Sequence, residues 1–141
     1  MASTFAGYLF KTQDNTILDK YLVREGYSDT PDQRQDQNSY RDGAGELHRG
    51  VLPAVATTLV LKTLDGLTLE DITILRNAIR SGLLDEQERM VRLTYWNNEK
   101  LDYCTEVFYM PDMTFTIREN RGDTLIYNSL TLKFIGYGVI R

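Results

Sequence analysis

The side chains best suited to chemistry are concentrated in one polar segment, Ser28–Arg49. It contains the only histidine of the chain, His48, and the nearest hydroxyl that could act as a nucleophile belongs to Ser39. Nucleophilic serines need a base within hydrogen-bond reach and often lie in a Gly-x-Ser-x-Gly turn, which this sequence lacks. His48 is therefore interpreted as a surface or loop-anchoring residue, and we predict no catalytic residue and no enzymatic activity.

Acidic residues recur along the same segment and raise the question of a calcium site. They are Asp29, Asp32, Asp36, Asp42 and Glu46. Their order does not reproduce the ligand pattern of an EF-hand loop, and Arg34 and Arg41 lie between them, where they would compete with a cation. The pattern favours a solvated or interface-forming loop, and we predict neither a metal nor a cofactor.

Composition and charge indicate a single folded domain spanning residues 1–141. The chain is 42% hydrophobic and 26% charged, which suits a globular protein with its own core. Its net charge of −4 argues against a protein that grips phosphate backbones, because that affinity comes from clustered Lys and Arg. Cys104 is the only cysteine, so no internal disulfide is predicted. We find no signal peptide and no run of about 18 apolar residues, and predict no membrane contact.

One α-helix is predicted near residues 69–81. Thr68 is a suitable N-cap, and Asp71 stands three positions later, where a carboxylate complements the helix dipole. An apolar face at helical spacing follows, formed by Ile72, Leu75 and Ile79 together with Leu69. Gly82 is the predicted C-terminal stop.

The last third of the chain shows the period-two alternation of half-buried strands. Apolar and polar residues alternate in Val91–Trp96, Met113–Arg118 and Leu130–Ile135. The turn at Asn97–Lys100 and the run Cys104–Met110 form a hairpin with the first of these strands. A four-strand meander is predicted.

Three more strands are predicted upstream, where β-branched and aromatic residues are frequent. They cover Ala2–Phe10, Lys20–Tyr27 and Ala54–Leu64. The predicted fold class is therefore mainly β, a β-sandwich or barrel-like pair of sheets with about seven strands and one inserted helix.

A long loop near residues 28–49 is predicted between the second and third strands. Structureless loops longer than about 12–15 residues are uncommon in compact domains and are usually functional or disordered. The mixed charges favour an assembly arm that orders against a neighbouring subunit; the alternative is a disordered, dispensable loop. The residues predicted to make assembly contacts are Arg34, Asp36, Tyr40, Arg41, Asp42, Glu46, Leu47, His48 and Arg49.

The order of these elements resembles that of the small tail proteins of long-tailed bacteriophages and prophages, especially the distal-tail and baseplate-hub group. The resemblance depends on the segment Tyr40-Arg-Asp-Gly-Ala-Gly-Glu-Leu-His-Arg49 before the capped helix, followed by Leu93-Thr-Tyr95 and Val107-Phe-Tyr109. Members of that group often carry an Arg/Asp-Gly-x-Leu-x-Arg segment before a helix-bearing sandwich.

The resemblance implies a tail-tube-like sandwich whose subunits form rings, usually hexamers, around a channel for DNA. It implies a virion protein, made in the cytoplasm of a bacterial host, whose partners are itself and other tail proteins. Passing DNA would be in contact with it without specific binding, because an acidic wall repels phosphates. The alternative function is a monomeric β-sandwich module that binds a carbohydrate or a peptide.

Overall fold

The computed structural model describes the backbone of residues 5–140 and all of their side chains except those at positions 24 and 25. Mainly β structure is confirmed, and one α-helix lies among the described residues, α1 (Leu69–Arg80). A short 3-10 helix, Asp19–Tyr21, precedes the second strand. The strands are β1 (Phe10–Thr12), β2 (Leu22–Asp36), β3 (Tyr40–Arg41), β4 (Leu47–His48), β5 (Val51–Thr63), β6 (Leu67–Thr68), β7 (Leu83–Asp85), β8 (Met90–Asn97), β9 (Asp102–Tyr109), β10 (Ile117–Asn120), β11 (Leu125–Tyr127), β12 (Thr131–Gly136) and β13 (Val139–Ile140).

The prediction of about seven strands is wrong, because the described residues form thirteen, several of them only two or three residues long. Eight strands form one antiparallel sheet in the order β1-β8-β9-β12-β5-β13, with β2 also paired to β5 and β7 also paired to β8. The strands β10, β11 and β6 form a second sheet, and β3 and β4 form a third. The predicted four-strand meander is therefore divided between two sheets.

The large sheet curls until side chains of β2 meet the end of β8, although three strands separate them in the sheet. The hydroxyl of Tyr27 donates a hydrogen bond of 2.7 Å to the carbonyl oxygen of Trp96. The backbone N–H of Asn98 donates to the carboxylate of Asp29 at 3.2 Å. The curl encloses a core whose largest fully buried side chains include Phe10, Leu59, Leu61, Leu93, Tyr95, Phe108, Leu132 and Phe134.

The helix was predicted correctly, and its capping explains where it begins. The hydroxyl of Thr68 accepts from the backbone N–H of Asp71, and the carboxylate of Asp71 accepts from the backbone N–H of Thr68. Ile72, Leu75 and Ile79 are buried, as predicted, whereas Leu69, predicted on the same face, is 40% exposed in the first turn. Together these features show that the local sequence determines both the start of α1 and its orientation.

Gly82 follows the C-cap residue Ser81, at the position predicted for the C-terminal stop, but it does not have the positive φ of a left-handed cap. The chain leaves α1 through Ser81, which has ordinary helical angles, and Gly82 lies against the backbone of β8. A Cβ atom at this position would lie 2.6 Å from the carbonyl oxygen of Arg92. Gly82 is therefore required by the close approach of two backbones.

The strand predicted at Met113–Arg118 is wrong over most of its length, since the strand there begins only at Ile117. Met113 packs against the core, whereas Phe115 is 52% exposed and contacts the ring of Tyr127 edge-on at 6.5 Å. The alternation of apolar residues here has two separate causes. Met113 covers the core near α1, and Phe115 faces Tyr127. Period-two patterning alone does not provide a strand with a pairing partner.

The first predicted strand, Ala2–Phe10, is also displaced. Residues 2–4 lie outside the described part of the chain, and the strand begins at Phe10. The carboxylate of Asp19 accepts the backbone N–H groups of Leu9 and Phe10 at 2.8 and 3.3 Å. A side chain therefore provides the hydrogen bonds that a neighbouring strand would otherwise have provided.

The long loop predicted at Ser28–Arg49 is wrong as a description of its first part. Strand β2 continues to Asp36 and pairs with β5 from Leu22↔Thr63 to Asp36↔Val51. The ladder shifts register three times, once across Pro31, which has no N–H to donate. Only residues 37–50 connect the two strands, and they contain the small β3–β4 hairpin.

Candidate functional site: a hairpin arm and a groove beside the helix

The arm comprises residues 36–51, where the β2–β5 ladder extends past the other strands of the large sheet. Strand β5 pairs with β12 through residues 58–62 and with β13 through Ala54 and Val55. Beyond these positions, within the described chain, the backbone of the arm pairs only with itself. Its side chains are exposed except for that of Asp42, which is half-buried. The arm is therefore an exposed two-stranded structure.

The base of the arm is connected to the core through Thr57. Asp32 lies at a register shift with a φ of 48°, and its backbone N–H donates to the hydroxyl of Thr57 at 3.1 Å. The same hydroxyl is 3.0 Å from the buried hydroxyl of Tyr95. Burial raises the pKa of Tyr95, so this phenol stays neutral and can hydrogen-bond within the core. The β2–β5 ladder that leads to the arm is thus connected to the core by polar contacts.

The neck of the arm is closed by Asp36 and Arg49. Two guanidinium nitrogens of Arg49 donate to the two carboxylate oxygens of Asp36 at 2.8 and 3.2 Å. The hydrogen bonds from Arg49 lower the pKa of Asp36. Next to them the backbone N–H of Gln37 donates to the carbonyl oxygen of Gly50 at 2.7 Å, an approach so close that a Cβ atom at Gly50 could not fit.

The tip of the arm is organised around Asp42. Its carboxylate accepts hydrogen bonds from the backbone N–H groups of Ala44 and Glu46, at 2.9 and 3.0 Å, and from Nε2 of His48 at 2.9 Å. These hydrogen bonds, that from His48 first, lower the pKa of Asp42. The ring of His48 also stacks on Tyr40, with 5.0 Å between centroids. The tip is thus ordered by its own contacts.

The two faces of the tip differ in chemistry. Tyr40 pairs with His48 and Arg41 pairs with Leu47, so alternation places Arg41 and Leu47 on the face opposite Tyr40. The first face presents Tyr40, which is 59% exposed and stacks on His48, and carboxylate oxygens of Asp42 and Glu46 lie within 4.8 Å of a ring nitrogen of His48. Tyr40 and Leu47, both predicted to make assembly contacts, therefore lie on opposite faces of the tip.

Most of the predicted assembly residues are brought together in the arm. The tip and neck contain Asp36, Tyr40, Arg41, Asp42, Glu46, Leu47, His48 and Arg49. Arg34 lies apart from them, in the ladder opposite Val55. That these residues form an assembly surface stays a prediction.

Three residues of the tip could together hold a cation. Ligand atoms of Asp42, Glu46 and His48 all lie within 4.8 Å of one another. The same proximity follows from the hydrogen bond between His48 and Asp42 and from the turn that Asp42 caps. The internal contacts of the hairpin therefore explain the cluster without an ion.

A groove beside α1 was missed by the sequence analysis. It has a volume of about 580 Å³ and lies between α1, β8 and the segment that follows β9. The signal that could have revealed it is the pair Arg76 and Arg80, spaced one helical turn apart beside the buried helix face. The groove is lined by Ile72, Leu75, Arg76, Ile79, Arg80, Leu83, Glu86, Arg89, Val91, Met110, Asp112, Met113, Phe115, Leu130 and Leu132.

Over residues 5–140, the fold and these two surfaces define a mainly β protein with one α-helix, an ordered hairpin arm and an apolar groove with a charged rim. The chain belongs to DUF6711, a family of unknown function whose model matches residues 1–137. No curated protein and no solved structure matches the chain. Among residues 5–140, no helix has the length and apolar character needed to cross a bilayer.

Proposed function

We propose that the chain is a structural subunit of a bacteriophage or prophage-derived tail. It assembles with copies of itself into a ring, most simply a hexamer, at the distal tail or baseplate or in the tail tube around the DNA channel. Its curled sheets are, in this proposal, a variant of the tail-tube sandwich. The observation that carries the proposal is the preformed arm, residues 36–51, which lies outside the protein's own core.

An arm of this kind suits assembly for energetic reasons. Ordering a flexible segment on binding costs free energy, and this arm is already ordered by its ladder, its neck ion pair and the contacts of Asp42. It presents Tyr40, and aromatic residues are enriched among those that dominate interface energetics. A free-standing ladder with no role would expose two unpaired strand edges, which proteins usually cover or shorten.

The charge and the order of elements support the tail assignment in particular. A net charge of −4 suits the wall of a conduit that DNA must pass without binding. The arm and the capped helix occur in the order on which the resemblance to tail proteins depends. The protein's partners in this proposal are its own copies and the adjoining proteins of the tail.

Native mass spectrometry and negative-stain microscopy test the proposal. We expect closed rings of the purified protein, alone or after addition of the neighbouring tail proteins. A monomer at every concentration, with no ring in the presence of those partners, would overturn the proposal and favour the monomeric binding module.

A shortened arm tests its role directly. Because Asp36 pairs with Val51, residues 37–50 can be replaced by Asn-Gly, which forms a two-residue turn and leaves the rest of the ladder intact. We expect the shortened protein to unfold cooperatively near the wild-type temperature and to form no rings. Rings of normal size from this variant would show that the arm is dispensable.

A further inference from the structure

The groove beside α1 combines an apolar floor with soft, adaptable side chains. Ile72, Leu75 and Ile79 of the helix line it, and so does Leu132 of β12. Two methionines, at positions 110 and 113, line the groove and are only half-buried. Methionine adapts to an incoming side chain and makes favourable contacts with aromatic rings. A groove of this size and composition accepts a large apolar group, such as one aromatic residue.

Among the charged side chains described on the rim of the groove, one cation has no anion as a partner. Arg80 pairs with Glu86 at 2.7 Å, and Arg89 pairs with Asp112 at 2.8 Å. Arg76 stands on the same rim and is exposed, and no described carboxylate lies within ion-pair distance of it. The groove is therefore suited to an occupant that joins an apolar or aromatic group to a carboxylate.

The tip of the arm carries that combination on one face. Tyr40 is exposed there, and Glu46 is an exposed carboxylate with no basic partner among the described side chains. In its own chain the arm does not fill the groove, because Tyr40 is exposed and no residue of the arm lines the groove. Within one molecule, therefore, the arm tip does not occupy the groove.

We propose that the groove of one copy receives the arm tip of a second copy. The ring of Tyr40 lies on the apolar floor between Met110 and Met113, and the carboxylate of Glu46 pairs with Arg76. This inference rests on the proposed self-assembly and names the two surfaces that perform it. Charge complementarity sets the register of the contact, and the buried aromatic ring contributes most of the affinity.

The contact is head to tail, because arm and groove are different surfaces. Such a contact repeats from copy to copy and either closes as a ring or continues as a stack. Each copy then uses both of its surfaces once. A variant that has lost only one surface should still combine with a variant that has lost only the other.

Charge exchange tests the pair directly by sedimentation and native mass spectrometry. We expect Arg76→Glu and Glu46→Arg each to weaken self-association by about thirtyfold or more, as for the loss of one partner of an interfacial charge pair. The protein carrying both substitutions should recover most of the affinity. Lys133→Glu, which reverses an exposed charge on β12, is the matched control and should assemble normally. No recovery in the double variant, or normal assembly of both single variants, would overturn the pairing.

The two faces of the tip provide a second matched comparison. Tyr40→Ala should abolish association, whereas Leu47→Ala, on the opposite face and 44% exposed, should leave it within about threefold of the wild-type value. Equal losses from the two substitutions would show that Tyr40 is not the anchor. Unchanged thermal unfolding of both variants would confirm that the effects belong to the interface.

A mixing experiment separates this inference from the proposed function. The shortened-arm protein retains the groove, and the Arg76→Glu protein retains the arm, so together they should form a one-to-one complex. If this complex forms but the wild-type protein forms no rings, the groove contact is supported and the ring is contradicted. Wild-type rings without the complex, and without any effect of the charge exchange, would overturn the groove contact and leave the ring.

Discussion

The guanidinium of Arg49 holds both carboxylate oxygens of Asp36, at 2.8 and 3.2 Å, at the point where the arm narrows to its tip. A two-point contact between planar groups fixes an orientation as well as a distance. Both side chains are substantially exposed, so their pairing contributes little to global stability. Its effect is local, because it aligns the tip with the ladder behind it.

Replacing Arg49 with Lys should loosen the tip without unfolding the protein. Lysine keeps the charge but cannot reproduce the two parallel hydrogen bonds. We expect hydrogen exchange at the amides of Gln37 and Gly50 to become several times faster, while the thermal midpoint remains unchanged. Equal exchange rates in the variant and the wild type would contradict the role assigned to the neck.

Acidification should disorder the tip at a pH below the ordinary carboxyl range. The pKa of Asp42 is lowered from its ordinary value of 3.8, first by the hydrogen bond from His48, and that of Asp36 is lowered by Arg49. The ordered tip therefore binds protons less readily than the disordered one, so these groups stabilise it above that value. Their stabilisation is lost as the pH falls through the lowered pKa values.

The measurement for this prediction is a pH titration of the amide chemical shifts of Ala44 and Glu46, whose N–H groups donate to Asp42. The midpoint should lie below 3.8, the ordinary value for an aspartate. Asp42→Asn should remove the transition from both amides. A midpoint at or above the ordinary value would show that the contacts of Asp42 do not favour its charged form.

Truncating side chains on the two sides of α1 should lower the free energy of unfolding by very different amounts. Ile72→Ala removes a buried side chain and should lower the free energy of unfolding by about 2–5 kcal/mol. Ile74→Ala, at a position 49% exposed, should change the free energy of unfolding by less than about 0.5 kcal/mol. Urea denaturation of both variants measures the contrast, and similar losses would mean that the helix face is wrongly assigned.

Removing the hydroxyl of Tyr95 should destabilise the core around the base of the arm. That hydroxyl contacts the carboxylate of Glu106, the hydroxyl of Thr57 at 3.0 Å and the side-chain nitrogen of Asn97 at 3.1 Å. Tyr95→Phe leaves buried polar groups short of a partner and should cost about 1–3 kcal/mol.

The control for Tyr95 is Tyr137→Phe, which removes the hydroxyl of an exposed tyrosine and should be nearly neutral in denaturant titrations. Hydrogen exchange at Asp32 should also rise in the Tyr95 variant, because Thr57 joins that amide to the network. A neutral Tyr95 variant would indicate that the network gives the protein no stability.

The elements predicted correctly are those whose cause is local in sequence. Thr68 and Asp71 cap the helix through contacts three residues apart, and the buried positions of β8 and β12 alternate because one face of each strand packs on the core. Such signals need no knowledge of a distant partner. Helix and core strands could therefore be predicted from the chain alone.

The second half of β2, which leads into the arm, was missed because neither of its faces is buried. From Thr30 to Asp36 its side chains are polar apart from Pro31, so the period-two signal is absent. The strand forms because its backbone pairs with β5, a cause that lies in another part of the chain. The groove was missed for a similar reason, since it needs α1 and Met110 to be brought together by the fold.

The central position of β5 has a consequence during synthesis on the ribosome. Its partner β2 precedes it, so that hairpin can form as soon as residue 63 has emerged. The opposite edge of β5 pairs with β12 and β13, which end at Ile140. That edge therefore remains unpaired while all the intervening residues are synthesised. Open edges of half-formed sheets recruit other chains. Nascent chains that stall before residue 131 therefore leave this edge of β5 open to pairing with other chains.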